Sequence, residues 1–338
     1  MCSSDLWLNP LGFAGLRWDL ALHTSLSFLT NTDQQHLVPE QTLGNLVQLG
    51  ALQFLMFVSP ATGLAVGFAV LRGLSGRPLG NAYRTLLRSL TRLLIPASLL
   101  LALLFLIAGV PMTLAPPLEI STLEGDRQLL PRGPIALYEA IKLLGENGGG
   151  FLGANSAHPY ENPSLLTNLL STWAMLIIPA ASIDAFGRLI ANRRQGALLL
   201  ALVFSMLALG ACIAMAAEQA GNPLLCRWVG GGNLQGKELR FGPGLTGLWA
   251  VVSTGTMTGA VNGALEAAMP LTLLTALSNL VLQVVVGGQG TGIATLLVFV
   301  MLAVFLSGLL VGRTQEFLGR KVEKDQVIWA SQIGRAHV

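Results

Sequence analysis

The chain has 338 residues, 52% hydrophobic and 11% charged, with a formal net charge of +3 and a mean hydropathy of +0.63. Soluble globular domains carry about 25% charged residues, so these values exclude one and define an integral membrane protein surrounded by lipid. The small positive balance bears on orientation in the membrane; no nucleic-acid partner is expected.

Both ends read as foreign. Residues 1–6 (MCSSDL) and 333–338 (IGRAHV) resemble translated sequencing-adapter sequence and are set aside as non-native, which makes the chain an internal piece of a longer protein. Of three cysteines, Cys212 lies in an apolar run and Cys226 in a loop, and no CxxC pair or histidine spacing makes a metal site.

In chain order, Trp18–Leu29 predicts a short helix, followed by the polar run Thr30–His36. Leu46–Leu71 is long enough to cross a bilayer, which takes about twenty apolar residues. The next loop carries Arg72, Arg77, Arg84, Arg88 and Arg92 and no acid, which places it in the cytoplasm. Leu93–Val110 returns outward to a proline-rich outer loop, residues 111–134.

Pro134 then starts Ile135–Leu144, read as an amphipathic helix too short to span. It leads into the glycine-rich stretch Leu144–Pro163, and residues 167–190 cross inward to a second basic cluster, Arg188, Arg193 and Arg194. A short helix that enters, a glycine loop that turns and a long helix that crosses predict a re-entrant pore loop. Non-helical backbone at membrane depth is tolerated only where protein buries it or where it lines a watery cavity. Gly148, Gly149 and Gly150 allow backbone angles closed to other residues, and their carbonyls are expected to replace the water around a bare cation.

Ala197–Ala217 crosses outward to a glycine-rich outer loop, residues 218–244; a third short helix, Gly244–Ser253, turns at Thr254–Gly259. Short helix, Gly/Thr/Asn loop and long helix thus occur three times with a period of roughly a hundred residues, a common build for transport proteins. The final apolar runs, Ala268–Val286 and Ile293–Val311, flank Gly287–Gly292. Two full crossings would put Lys321 and Lys324 outside, so one crossing by an interrupted helix is expected. Gly287, Gly288, Gly290 and Gly292 are then gate candidates; the other reading is a loop at the membrane surface. The layout is 7–71, the first pore loop and following helix; 72–190 and 191–312, two helix/pore-loop/helix units; and 313–332, a cytoplasmic segment.

Several motifs point elsewhere. Gly231–Lys237 matches GxxxxGK, but Glu238 replaces the Ser or Thr that would hold magnesium, and no strand precedes it. Gly148–Gly153 matches GxGxxG after a helix and before a span, the wrong context for a dinucleotide. His158 has no ligand partners at metal spacing, and no DKTG-type phosphorylation sequence occurs, so no nucleotide is expected on this chain.

Four blocks carry a family resemblance: Ser27–Thr32 (SFLTNT), Gly148–Pro163 (GGGFLGANSAHPYENP), Gly236–Gly242 (GKELRFG) and Gly312–Gly319 (GRTQEFLG). The chain resembles the potassium-binding subunit of the bacterial Kdp potassium-transporting ATPase over nearly its whole length. The resemblance implies an all-helical membrane fold, with helix/re-entrant-loop/helix units around a pseudo-fourfold pore and three of the four pore loops present. It implies a selectivity filter made by Thr30, Asn31 and Thr32, by Asn147, Gly148, Gly149 and Gly150, and by Met257, Thr258 and Gly259. Gln35 stands where the family has a glutamine near the filter; it lines the cavity or caps local backbone.

Asp33-Gln34 replaces the family's Asn-Trp, and Met257 replaces a small polar residue. Asp33 and Glu146 each admit two roles, a carboxylate that concentrates cations at a cavity or mouth, or one that satisfies turn amides. By the resemblance, potassium enters from outside through the filter, and ATP is hydrolysed on a P-type partner, the Kdp B subunit, with the small C and F subunits also present, in the bacterial inner membrane. Two alternatives stand beside this: the pore subunit of a Trk/Ktr-type potassium channel or symporter, and a non-transporting scaffold whose glycines serve close helix packing.

Overall fold

The computed structural model describes residues 9, 11–30, 32–223, 232–312 and 316–336; Asn31, Cys226, Arg313 and the segment 1–6 lie outside the described residues. In chain order the helices are α1 (Trp18–Leu29), α2 (Asn45–Leu74), α3 (Ala82–Ile107), α4 (Ile135–Leu144), α5 (Leu165–Leu189), α6 (Arg193–Ala220), α7 (Gly242–Gly255), α8 (Pro270–Leu282), α9 (Thr291–Val311) and α10 (Lys324–Ala336). Of these, α2, α3, α5, α6 and α9 have 21 to 30 residues and are apolar enough to cross a membrane.

Local chemistry sets the helix starts. The Asn81 side chain accepts the Arg84 N–H at 2.9 Å, and Asn192 accepts that of Gln195 at 3.1 Å. Ser164 and Thr167 form a reciprocal capping box at the head of α5. The Asn81 cap has a consequence the apolar run alone does not reveal: α3 begins at Ala82, well before Leu93, so Arg84, Arg88 and Arg92 ride on the helix and remain exposed. The helix passes Pro96 through a π turn at Leu90–Leu94, where the missing proline N–H interrupts the regular ladder.

The fold is mostly rather than wholly helical. In the outer loop, β1 (Leu118–Ser121) pairs antiparallel with β2 (Arg127–Leu130), Leu118 opposite Leu130, around a turn with Gly125 at φ +90°. A second small ladder joins β3 (Glu316–Phe317) to β4 (Arg320–Lys321).

The spans bury one face and expose the other: Leu99, Leu100 and Leu103 on α3 and Leu198, Leu202 and Leu209 on α6 face outward, as a lipid-facing surface requires. In the middle lies α4. Expected to be amphipathic, it is buried nearly all round, with Glu139 at 1% and Lys142 at 0% exposure beside Ile135, Ile141 and Leu143. Its polar face meets protein, not water.

The hairpin of α5 and α6 closes where Gly187 meets Gly196; a Cβ on Gly196 would lie 2.9 Å from the Gly187 Cα. Small residues let helix backbones approach this closely. Gly196→Leu is therefore expected to force the helices apart at a cost of about 1–3 kcal/mol and to lower the melting temperature in detergent. An unchanged melting temperature would refute the tight crossing.

Candidate functional site

The three short helices end in the same way. After α1, the Thr30 N–H donates to Leu26 O (2.9 Å) and Thr32 N–H to Ser27 O (2.9 Å). After α4, Gly145 N–H donates to Ile141 O (2.7 Å) and Asn147 N–H to Lys142 O (2.9 Å). After α7, Thr256 N–H donates to Val252 O (2.9 Å) and Thr258 N–H to Ser253 O (2.8 Å). This is a helix C-terminus closed by a longer bond two residues past the cap, which satisfies carbonyls that would otherwise be orphaned. The residues that follow turn left-handed in register: Glu146 (φ +55°) and Gly148 (+73°) in the second loop, Met257 (+61°) and Gly259 (+79°) in the third, and Asp33 (+52°) in the first. Hydroxyl pairs reinforce two of the turns, Thr30 with Thr32 at 2.9 Å and Thr256 with Thr258 at 2.8 Å.

The loops also meet in space. A Cβ on Gly148 would stand 2.0 Å from Thr258 O, and one on Gly149 would stand 2.8 Å from Gln35 Oε1. The second loop therefore touches the third through Gly148, where backbone leaves no room for a side chain, and the first through Gly149, where a Cβ would have to displace the end of the Gln35 side chain. Asp33, Gln35, Asn147 and Gly149 share a small cleft with Met56 and Tyr138. The Gln35 Nε2 donates to Leu37 O at 3.0 Å while its Oε1 faces Gly149. Gly150 stands apart, backed against the carboxylate of Glu161.

The two carboxylates find partners outside their own loops. Asp33 accepts the Ser59 hydroxyl from α2 at 3.0 and 3.2 Å. Glu146 Oε2 accepts the N–H of Gln289 at 2.6 Å, a partner 143 residues away. Asn147 is buried, and its side-chain amide donates to Met56 O (3.0 Å) and Ile141 O (3.1 Å), so that side chain ties the loop to α2 and α4.

Sequence reasoning missed the group that holds the second loop in place. Lys142 Nζ lies 2.5 Å from Glu139 and 2.7 Å from Glu161, and donates to Asn155 Oδ1 (2.9 Å) and Ser156 Oγ (2.7 Å). Glu161 in turn accepts the Leu152 N–H at 2.8 Å. Asn155 closes the circuit: its Nδ2 donates to Gly148 O at 2.6 Å, which engages one lone pair of a carbonyl expected to face an ion. His158 is a loop hydrogen bonder, its Nδ1 accepting the Tyr160 N–H at 3.0 Å, and burial lowers its pKa below the usual imidazole value.

The glycine segment between α8 and α9 packs beneath these loops. Residues 284–290 are buried. Gly287 N–H donates to Gly255 O (2.9 Å), the Gln289 side chain donates to Leu144 O, and a Cβ on Gly288 would stand 3.4 Å from Met257 Cβ. Gly290, at φ +77°, lies against the backbone of α2, where a Cβ would come within 2.0 Å of Gly63 O.

Membrane-length helices alternating with short helices that end in converging loops define a multi-pass membrane protein. A family model described as potassium-transporting ATPase A subunit matches residues 1–334, and the chain belongs to that family. It is 53% identical to a protein of Synechocystis sp. over 100% of this chain and 61% of that one. Identity is 52% to a protein of Anabaena sp. (97% and 59% covered) and 46% to one of Pectobacterium atrosepticum (96% and 58%). Each of the three is named potassium-transporting ATPase potassium-binding subunit, and the chain spans about three-fifths of their length.

Removing the lysine at the centre of the second loop's anchor leaves two buried carboxylates uncompensated. Lys142→Met is expected to destabilise the fold by about 3–5 kcal/mol. The check is thermal unfolding of the purified protein together with the yield of folded membrane protein; wild-type values for both would refute the anchoring role.

Proposed function

We propose that this chain is the ion-conducting part of a potassium-transporting ATPase, taking potassium from outside through a filter built by the three loops and passing it inward. The observation that carries the reading is the convergence of three identically capped loops through Gly148, Gly149, Gln35 and Thr258. Loop backbone at membrane depth requires either protein cover or a watery path, and a ring of backbone oxygens replaces the hydration shell of a monovalent cation. The loops follow the helices at intervals that fit units around a pseudo-fourfold axis. Filter oxygens come from Thr30, Thr32, Asn147, Gly149, Thr258 and Gly259; Gly150, packed on Glu161, contributes shape. The glycine segment with Gly287, Gly288, Gly290 and Gly292 is the gate, placed against the inner ends of the second and third loops.

Transport against a gradient needs an energy source outside this chain. The relatives' name points to an ATPase complex, and the partners are the Kdp B subunit, which hydrolyses ATP, and the C and F subunits, in the bacterial inner membrane.

The test uses the full-length gene expressed with the B, C and F subunits in a bacterium deficient in potassium uptake. Wild type is expected to restore growth at micromolar potassium, and Gly149→Asp, which drives a side chain into Gln35 and a charge into the filter, to need at least about a hundredfold more potassium while still reaching the membrane. Normal growth of the variant would remove the second loop from the filter. Rescue without the B subunit would make the protein a channel of the Trk/Ktr kind.

A further inference from the structure

The fully buried acids of the described chain have a lysine at hand, and Asp33, partly buried, has the Ser59 hydroxyl on both carboxylate oxygens. Glu139 and Glu161 share Lys142, and Glu218 pairs with Lys237 at 3.1 Å. Glu146 differs. Its Oε2 accepts one N–H, from Gln289; its Oε1 is sealed from solvent and accepts no hydrogen bond; and no Lys, Arg or His among the described residues lies within ion-pair distance. Gln289 is only 5% exposed and repeats the pattern: its Nε2 donates to Leu144 O, and its Oε1 is buried with no donor.

The Glu146 side chain, held on the Gln289 main-chain N–H, and the Gln289 side chain, held on Leu144 O, thus leave two buried acceptor oxygens and a formal negative charge. A buried carboxylate without a counter-charge is expensive, and an ionisable group at membrane depth marks an ion or proton path. An all-oxygen ligand set suits a hard cation. The surroundings add to the preference. Leu144 is the last residue of α4, whose C-terminal carbonyls carry the negative end of the helix dipole. Met257, beside Gly288, makes the adjoining wall apolar.

We propose that Glu146 and Gln289 form a binding site for a dehydrated monovalent cation at the junction of the second loop and the glycine segment. The site rests on the reading of the loops as a potassium path and extends that path past the filter, with one ligand on each side of the seam. The cation is the counter-charge that the protein does not supply to Glu146.

The experiment uses the purified complex containing the full-length subunit, titrated with potassium chloride against a sodium chloride control. Two readouts are taken: the half-saturating potassium for ATP hydrolysis and that for thermal stabilisation. Glu146→Gln keeps size and one acceptor oxygen but removes the charge, and is expected to raise both values about tenfold. Gln289→Met, which removes the second oxygen, is expected to raise them about threefold. If Glu146→Gln stays within about twofold of wild type, the carboxyl is a neutral hydrogen-bonding group and the site is overturned. Should that variant fail to assemble, Gln289→Met decides by the same criterion. Failure of the filter reading is seen separately, as normal uptake by Gly149→Asp.

Discussion

The buried charge cluster around Lys142 is the interaction on which the arrangement of the second loop depends. An ammonium with no exposed surface, on a helix of ten residues, is stable only because two carboxylates, an amide and a hydroxyl surround it. Those partners come from the helix itself and from residues 155–161, so the charge that stabilises α4 also folds the returning chain back over it. The glycines are held between the two. Gly148 O is fixed by Asn155 and Gly150 is backed by Glu161, both members of the cluster. The triple glycine is therefore not slack chain but a short bridge between fixed points.

The repeated cap shows what is constant among the three loops. Backbone bonds from the cap and from the second residue beyond it recur after α1, α4 and α7, although the residues there are Thr and Thr, Gly and Asn, and Thr and Thr. At the position between them, Glu146 and Met257 both hold left-handed angles without being glycine, a conformation that costs roughly 1–2 kcal/mol. The surrounding structure imposes that geometry. Because the turn is set by helix end and packing, the side chain at this position is free to vary, which explains how Met257 occupies one loop and Glu146 another without altering the path of the chain. The same freedom allows Asp33 at the fourth position of the first loop, where its carboxylate finds Ser59 on α2.

The length of apolar runs and the clustering of glycine made the spans, the short helices and the loops legible in the residues alone. Three features were not legible, each for a physical reason. The start of α3 is decided by Asn81, a single cap whose effect outweighs the polarity of the arginines after it. The polar face of α4 repeats with helical period, but periodicity does not say whether such a face meets water or Glu161, 19 residues further on. Gln289 and Asn155 carry no motif, because their meaning lies in partners, Glu146 and Gly148, that only the fold brings near. Glycine positions such as Gly148 were legible as loop formers, yet the reason that a side chain is excluded there, the Thr258 carbonyl, belongs to another unit.

The break between α8 and α9 shows how such a loop can be buried and still separable. Its backbone runs left-handed at Gln283, Val286, Gly287 and Gly290, so it cannot continue the helix, and the freed N–H of Gly287 finds the carbonyl of Gly255. On the side of the second and third loops it is held by directional bonds, from Gly287 and from both the backbone and side chain of Gln289. Toward α2 the contact is of another kind, Gly290 against Gly63 and Gly67, backbone on backbone with no side chain between them. Close glycine packing excludes lipid and water but resists sliding only weakly, whereas hydrogen bonds in a buried setting are lost only together. The segment is thus held by directional bonds at its seam with the second and third loops, where Glu146 sits, and by close packing alone toward α2.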